Sequence, residues 1–212
     1  MLASCLMVTR GRPELARLAV ECWRSQTWAD KELVIVDDED NPSFDAPPRG
    51  RVVYARLGRR KRIGAKRNRA AELATGDVFF TWDDDDWHAE TRLSRQIAAM
   101  VHERAGLVCD RECYYTDGKR AWRRTVGRIG STFAFPRATW ERAKFSDLQS
   151  GEDDHFYARA RRVCVLSDEI RTVARLHGSN TVSRIPEQWP GWYEVDFCEL
   201  PQGFRRTLAP ER

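Results

Sequence analysis

Four consecutive aspartates, Asp83-Asp84-Asp85-Asp86, follow directly on the apolar run Phe79-Phe80-Thr81-Trp82, and no other junction in the chain constrains the fold as tightly. The apolar run calls for a sheet interior, whereas four adjacent carboxylates repel one another and need donors, water or a cation. Both demands are met where a buried strand ends at the carboxyl edge of an α/β sheet, the place where ligands collect. Stability alone gives no reason for such a run. A divalent cation with oxygen ligands, Mn²⁺ or Mg²⁺, resolves the repulsion. A plainer explanation, acids favoured at the N-terminus of a following helix, accounts for Asp85 or Asp86 but not for all four.

The rest of the chain fits that frame. Apolar runs at 3–8, 32–36, 52–55 and 78–82 read as strands. Pro13 suits a first helical turn, and Leu15, Leu18, Ala19, Cys22 and Trp23 follow on one helical face. A second helix is expected over 63–74, closed by Gly76 as a C′ glycine, and a third over 89–102. Thr116-Asp117-Gly118-Lys119 is a hairpin turn between strands at 113–115 and 121–126. Beyond it, 131–135 reads as a strand, 137–144 and 153–162 as helices, and 163–166 and 171–176 as closing strands. After Ser183 the pattern dissolves into a Trp- and Pro-rich tail, 184–212, expected to wrap the surface. Alternating strands and helices predict an α/β fold with a mostly parallel central sheet flanked by helices, in one domain over 1–183.

Composition narrows the class. The 212 residues carry a net charge of only +4, too little to demand nucleic acid as partner. No apolar run is long enough for a transmembrane helix, and 1–8 reads as a buried strand rather than a signal peptide. The six cysteines form no CxxC pair and lie mostly in apolar segments, as expected of buried thiols in a reducing cytoplasm.

Three further clusters carry possible chemistry. Asp37-Asp38 ends the second strand, where carboxylates accept hydrogen bonds from a base or ribose, or else form a solvated turn. Arg59-Arg60-Lys61-Arg62 and Lys66-Arg67-Asn68-Arg69 flank Gly64 at a helix start, suited to phosphate, although about half such a run ordinarily faces solvent. Glu152, Asp153 and Asp154 follow Gly151, more acids than one N-cap requires. His177 follows the last strand, where it can contact a metal or phosphate.

Taken in order, these pieces resemble family 2 of the GT-A glycosyltransferases, over roughly residues 2–183. The similarity runs through Leu6-Met7-Val8-Thr9-Arg10-Gly11-Arg12-Pro13, Ser25-Gln26-Thr27, Leu33-Val34-Ile35-Val36-Asp37-Asp38, Gly64-Ala65-Lys66-Arg67-Asn68-Arg69 and Ala74-Thr75-Gly76-Asp77. The 83–86 run resembles the family's DxD motif, in either of two registers, Gly151-Glu152-Asp153-Asp154 its ED motif, and His177-Gly178-Ser179-Asn180 its late histidine motif. The resemblance implies a GT-A, Rossmann-like sheet with a small antiparallel hairpin on the acceptor side. It divides the domain into a nucleotide-sugar half, 1–88, and an acceptor half, 89–183. It implies that Thr9, Asp37, Asp38, Arg67, Asp83 and Asp84 line the nucleotide-sugar pocket and that Asp85 and His177 hold Mn²⁺ or Mg²⁺. Asp153 is the implied general base, with Glu152, Asp154 and Trp87 on the acceptor side.

The implied activity is inverting transfer of a sugar from a nucleotide-diphosphate donor, a UDP-sugar for preference, to an acceptor hydroxyl. A glycan, a lipid carrier, a protein and modified DNA all stay open as acceptors, and the oligomeric state is open too. Two rivals compete. A metal-dependent nucleotidyltransferase shares the sheet, but its glycine-rich loop is not matched by Thr9-Arg10-Gly11-Arg12-Pro13. A non-enzymatic nucleic-acid-binding module uses the 59–69 basic stretch but leaves the carboxylates unexplained.

Overall fold

The first apolar run forms β1 (Ala3–Thr9), every residue of it buried. The chain then enters α1 (Pro13–Arg24), with Pro13 in the first turn, where its missing N–H breaks no hydrogen bond. These elements belong to a computed structural model that describes residues 1–125, 127–167, 169–178, 180 and 190–208. β2 (Lys31–Asp37), β3 (Val52–Arg56), α2 (Ile63–Leu73) and β4 (Val78–Asp83) follow. β1 pairs in parallel with both β2 and β4, and β3 adds to β2. Alternation along these strands divides the core. Cys5, Met7, Leu33, Phe80 and Trp82 meet Ala19 and Trp23 of α1 on one face, while Leu6, Val34 and Phe79 meet Ala70 and Ala71 of α2 on the other.

The second half contributes β5 (Asp86–His88), α3 (Arg92–Glu103), β6 (Leu107–Asp110), β7 (Cys113–Thr116), β8 (Ala121–Arg124), β9 (Ala134–Pro136), α4 (Arg137–Arg142) and α5 (Glu152–Arg159). β10 (Val163–Leu166), β11 (Thr172–Arg175), β12 (Trp192–Val195) and α6 (Gln202–Arg206) complete it. The large sheet runs β10-β6-β9-β4-β1-β2-β3, with β9 antiparallel to its neighbours. A second sheet runs β12-β8-β7-β11-β5, in which only β7 and β11 are parallel. The expected α/β class and mostly parallel central sheet are both present. The hairpin is β7–β8: Gly118 takes φ +86°, and Asp117 Oδ1 accepts the N–H groups of Lys119 and Arg120 at 2.9 and 2.7 Å.

Several local expectations are corrected. The third helix starts at Arg92 rather than 89, because Asp86–His88 pair with β11 instead. The 131–135 strand begins as a 3₁₀ turn, Gly130–Thr132, and is extended only from Ala134. Gly76 is not a left-handed cap. Its role is close approach, since a Cβ there would lie 2.3 Å from Ser4 Oγ. The strand at 107–110 was not anticipated.

Within 184–212, residues 184–189 and 209–212 lie outside the described residues. The part from 190 to 208 is not a surface wrapping: β12 pairs with β8, and Leu200 and Phe204 are buried in the core. All six cysteines are unbridged, with Cys5, Cys22, Cys109 and Cys113 buried. Among the described residues no helix is long and apolar enough to cross a membrane.

Candidate active site

β1 and β4 are parallel neighbours with Val8 opposite Asp83, so the chain leaving one strand runs beside the chain leaving the other. Arg12 thereby reaches the acidic run. Its Nε and Nη2 donate to the two oxygens of Asp84 at 3.1 and 2.6 Å, and its Nη1 donates to Asp85 Oδ2 at 2.7 Å. Thr9 Oγ1 adds a 2.6 Å bond to Asp84 Oδ2. Asp85 Oδ2 also lies 3.1 Å from His177 Nε2 and accepts from Asn180 Nδ2 at 3.3 Å. Burial and the adjacent Asp85 charge push the Asp84 carboxyl up. Burial acts on Asp85 in the same sense, but the His177 hydrogen bond and Arg12 outweigh it and hold that carboxyl down. The repulsion within the run is therefore relieved in part by protein cations, beside whatever a divalent cation would add.

Arg67 joins this run to α5. Its Nη2 donates to Asp83 Oδ1 at 3.0 Å and its Nε to Glu152 Oε1 at 3.1 Å. Burial alone would lower its pKa, but Asp83 and Glu152 more than offset that and keep the guanidinium charged. Its Nη1 is buried and makes no hydrogen bond among the described residues. Burial raises the Glu152 carboxyl against the pull of Arg67. Asp154 is exposed and accepts from Arg128 Nε at 3.0 Å. Asp153, between them, makes no hydrogen bond or ion pair among the described residues and lines the cleft. Its carboxylate lies against the backbone of Gly130, where an added Cβ would come within 1.9 Å of Asp153 Oδ2.

These residues enclose one cavity of about 480 Å³, a size suited to a small-molecule substrate. Arg12, Arg67, Asp83, Asp84, Asp85, Glu152, Asp153 and Asp154 all line it, and His177 touches it through Asp85. Other expected site residues do not line it. Asp37 is fully buried, and its carboxylate accepts from Glu39 N, Ser43 N and Tyr54 Oη at 3.0, 2.8 and 2.8 Å, which shapes the loop after β2. Asp38 accepts from Lys61 N and Lys66 Nζ at 2.7 and 2.8 Å and so ties down the approach to α2. Thr9 serves Asp84, and Trp87 packs in the core with its ring 6.0 Å from that of Phe204.

The phosphate cradle expected at Gly64 is also filled from within. Its N–H donates to Leu148 O at 3.0 Å, and a Cβ would meet Ser146 O at 1.8 Å. The basic stretch splits, with Arg59, Arg60 and Arg62 exposed while Lys66 and Arg67 turn inward. Arg12 was not anticipated, although its place just after β1, next to the strand that ends in acids, was the available signal. Arg124 and Trp192 of the second sheet line the cleft as well, and nothing in the local sequence pointed to them.

The family model for glycosyl transferase family 2 matches residues 4–168. Among curated proteins, none matches the sequence. Among solved structures, a TarS 1–349 fragment from S. aureus in complex with UDP superposes with TM-score 0.68 at 19% identity, over 82% of this chain and 60% of that one. The same fragment in complex with UDP-GlcNAc gives 0.67 at 17%, over 85% and 60%. The mannosyltransferase PcManGT from Pyrobaculum calidifontis, in complex with GDP-Man and Mn²⁺, gives 0.62 at 16%, over 84% and 58%. The sheet is thus the GT-A sheet, and this chain spans about 60% of the TarS fragment's length.

Proposed function

The chain belongs to glycosyl transferase family 2, and we propose that it transfers a sugar from a nucleoside-diphosphate donor to an acceptor hydroxyl with inversion at the anomeric carbon. One observation carries this reading: the acidic end of β4 and the unpaired carboxylate of Asp153 face a single cavity. The donor's diphosphate lies on the β1–β4 side, where Arg12 and Arg67 line the cavity and supply positive charge. The similar structures hold UDP, UDP-GlcNAc and GDP-Man, so a UDP-sugar is the first donor to test and a GDP-sugar the second.

A divalent cation fits the donor set. Asp85 Oδ2 and His177 Nε2 converge within 3.1 Å, and two protein ligands completed by phosphate oxygens and water are ordinary for Mg²⁺ or Mn²⁺. Among the described residues no group of three or more His, Cys, Asp or Glu side chains assembles a site by itself, which leaves the remaining positions to the donor. When bound, the ion supplies Lewis-acid neutralisation of the departing diphosphate.

The chain's own residues do the rest. Arg67 holds Asp83 and Arg12 holds Asp84 in place, so that these carboxylates need little reorganisation when the donor arrives. Asp153 takes the acceptor hydroxyl's proton as that oxygen attacks the anomeric carbon. Glu152 is unsuited to that role because Arg67 engages it, and Asp154 because Arg128 does.

Thermal-shift measurements with UDP-, GDP-, TDP- and CDP-sugars in Mn²⁺, followed by assay of released nucleoside diphosphate, test the reading. One donor at 100 times its dissociation constant should add about 2.7 kcal/mol of stability and be slowly hydrolysed. Stabilisation by none of the four contradicts it.

A further inference from the structure

The second sheet places three side chains on the face that looks into the cleft. In β8 and β12, Arg124 pairs directly with Trp192, so the two share a face. Tyr115 of β7 lies opposite Trp122, two residues from Arg124 and therefore on the same side. The rings of Tyr115 and Trp192 lie 4.2 Å apart at 38°, with Tyr115 buried beneath and Trp192 half-buried. Tyr115, Arg124 and Trp192 all line the cavity that contains Asp153.

What sets Arg124 apart is its charge. The other arginines of the cleft are engaged: Arg12 with Asp84 and Asp85, Arg67 with Asp83 and Glu152, Arg128 with Asp154, and Arg175 with the Asp85 carbonyl. Arg128 also lies over the Tyr157 ring at 4.7 Å. Arg124 makes no hydrogen bond or ion pair among the described residues, although it is half-buried on the cleft wall. A half-buried guanidinium without a counter-ion, beside an aromatic face, suits a ligand that supplies both an anion and a ring with an apolar face. The position is on the second sheet, whereas the groups suited to the donor's diphosphate stand at β1, α2 and β4. The loop from Arg124 runs on to Gly130, the residue in contact with Asp153.

We infer that Arg124 and Trp192 form the acceptor subsite and that the acceptor is an anionic saccharide, its ring on Trp192 and its phosphate or carboxylate on Arg124. This rests on the transferase reading for its role in the reaction, but the site itself is measured by binding alone. The probes are maltose against maltose 6′-phosphate, and maltotriose against trigalacturonate, titrated by calorimetry in the presence of UDP and Mn²⁺.

The wild-type protein should bind at least one anionic member roughly 10- to 100-fold more tightly than its neutral partner, the range a charge-assisted hydrogen bond supports. Which pair shows the preference tells phosphate from carboxylate. Arg124→Ala should erase that ratio, Arg124→Lys should keep part of it, and Trp192→Ala should weaken charged and neutral sugars alike. UDP affinity should stay unchanged in Arg124→Ala.

Equal binding of charged and neutral sugars by the wild type overturns the inference. So does a ratio that survives Arg124→Ala, and so does a loss of UDP affinity in that variant, which would assign Arg124 to the donor. Failure of all four nucleotide-sugars to stabilise the protein would instead sink the transferase reading, and the acceptor role with it.

Discussion

In the 83–86 run, Asp83 has Arg67, Asp84 has Arg12 and Thr9, and Asp85 has Arg12 and His177. In the 152–154 run the outer acids are paired, Glu152 with Arg67 and Asp154 with Arg128, and Asp153 makes no hydrogen bond or ion pair among the described residues. The two runs look alike in sequence, yet Asp83–Asp85 of the first are each held by a side-chain donor and the second presents one carboxylate to the cleft. Arg67 and Arg128 occupy oxygens of Glu152 and Asp154, whereas Asp153 lines the cleft with no such donor among the described residues. In the proposed mechanism this difference gives binding to one run and chemistry to the other.

The contrast breaks first at Asp153. Asp153→Asn should lower the transfer rate by about 10²- to 10⁴-fold, the usual contribution of a general base, with donor affinity in calorimetry unchanged. A comparable rate loss in Asp154→Asn and none in Asp153→Asn would reverse the assignment within the second run.

Arg67 is the link between the runs, so its removal tests whether they are one framework. Arg67→Ala leaves Asp83 and buried Glu152 without their cation and should cost about 3–5 kcal/mol of stability in urea unfolding. A loss under 1 kcal/mol would mean that the two runs are anchored independently.

Arg12 sharpens the comparison from the other side. If its guanidinium competes with a cation at Asp85, Arg12→Ala should raise the melting temperature gained on adding Mn²⁺ by roughly 2–4 °C over the wild type, the shift about 1 kcal/mol produces in a chain of this size. An equal gain in both proteins would separate Arg12 from the ion's position. The smallest effect belongs to the solvated pair. Asp154→Asn breaks a bond between exposed partners and should change stability by less than about 1 kcal/mol, read as an unchanged urea midpoint.

The first half of the fold was legible because its strands are continuous apolar runs and its helices carry their own periodicity, as 3–8, 32–36 and 63–74 show. β5 was not legible. Asp86–His88 are extended only because they pair with Thr172, Val173 and Ala174, far along the chain. β12 fails for the same reason, since Trp192–Val195 gain strand character from β8. Phe204 looked like part of a loose tail, yet it is buried beside Trp87.

In the site, the motif residues at 83–85 and 152–154 and Arg67 do converge on one cleft, with His177 bonded to Asp85, because each stands at a strand end or at a helix facing one. Residue type alone could not tell a ligand contact from an internal hydrogen bond. Asp37 and Asp38 have the right chemistry at a strand end, but their oxygens are satisfied by the chain itself. Arg12 shows the converse, a residue with no motif significance made important by the register of β1 against β4.

In the proposed mechanism the carboxylate of Asp153 activates the acceptor for a single direct displacement. Proton NMR of the freshly formed product reads the outcome through the coupling constant at the new anomeric centre. Attack from the face opposite the departing diphosphate should give the configuration opposite to that of the donor sugar. Retention of the donor's configuration would contradict it, because a single attack assisted by one base cannot preserve the anomeric centre.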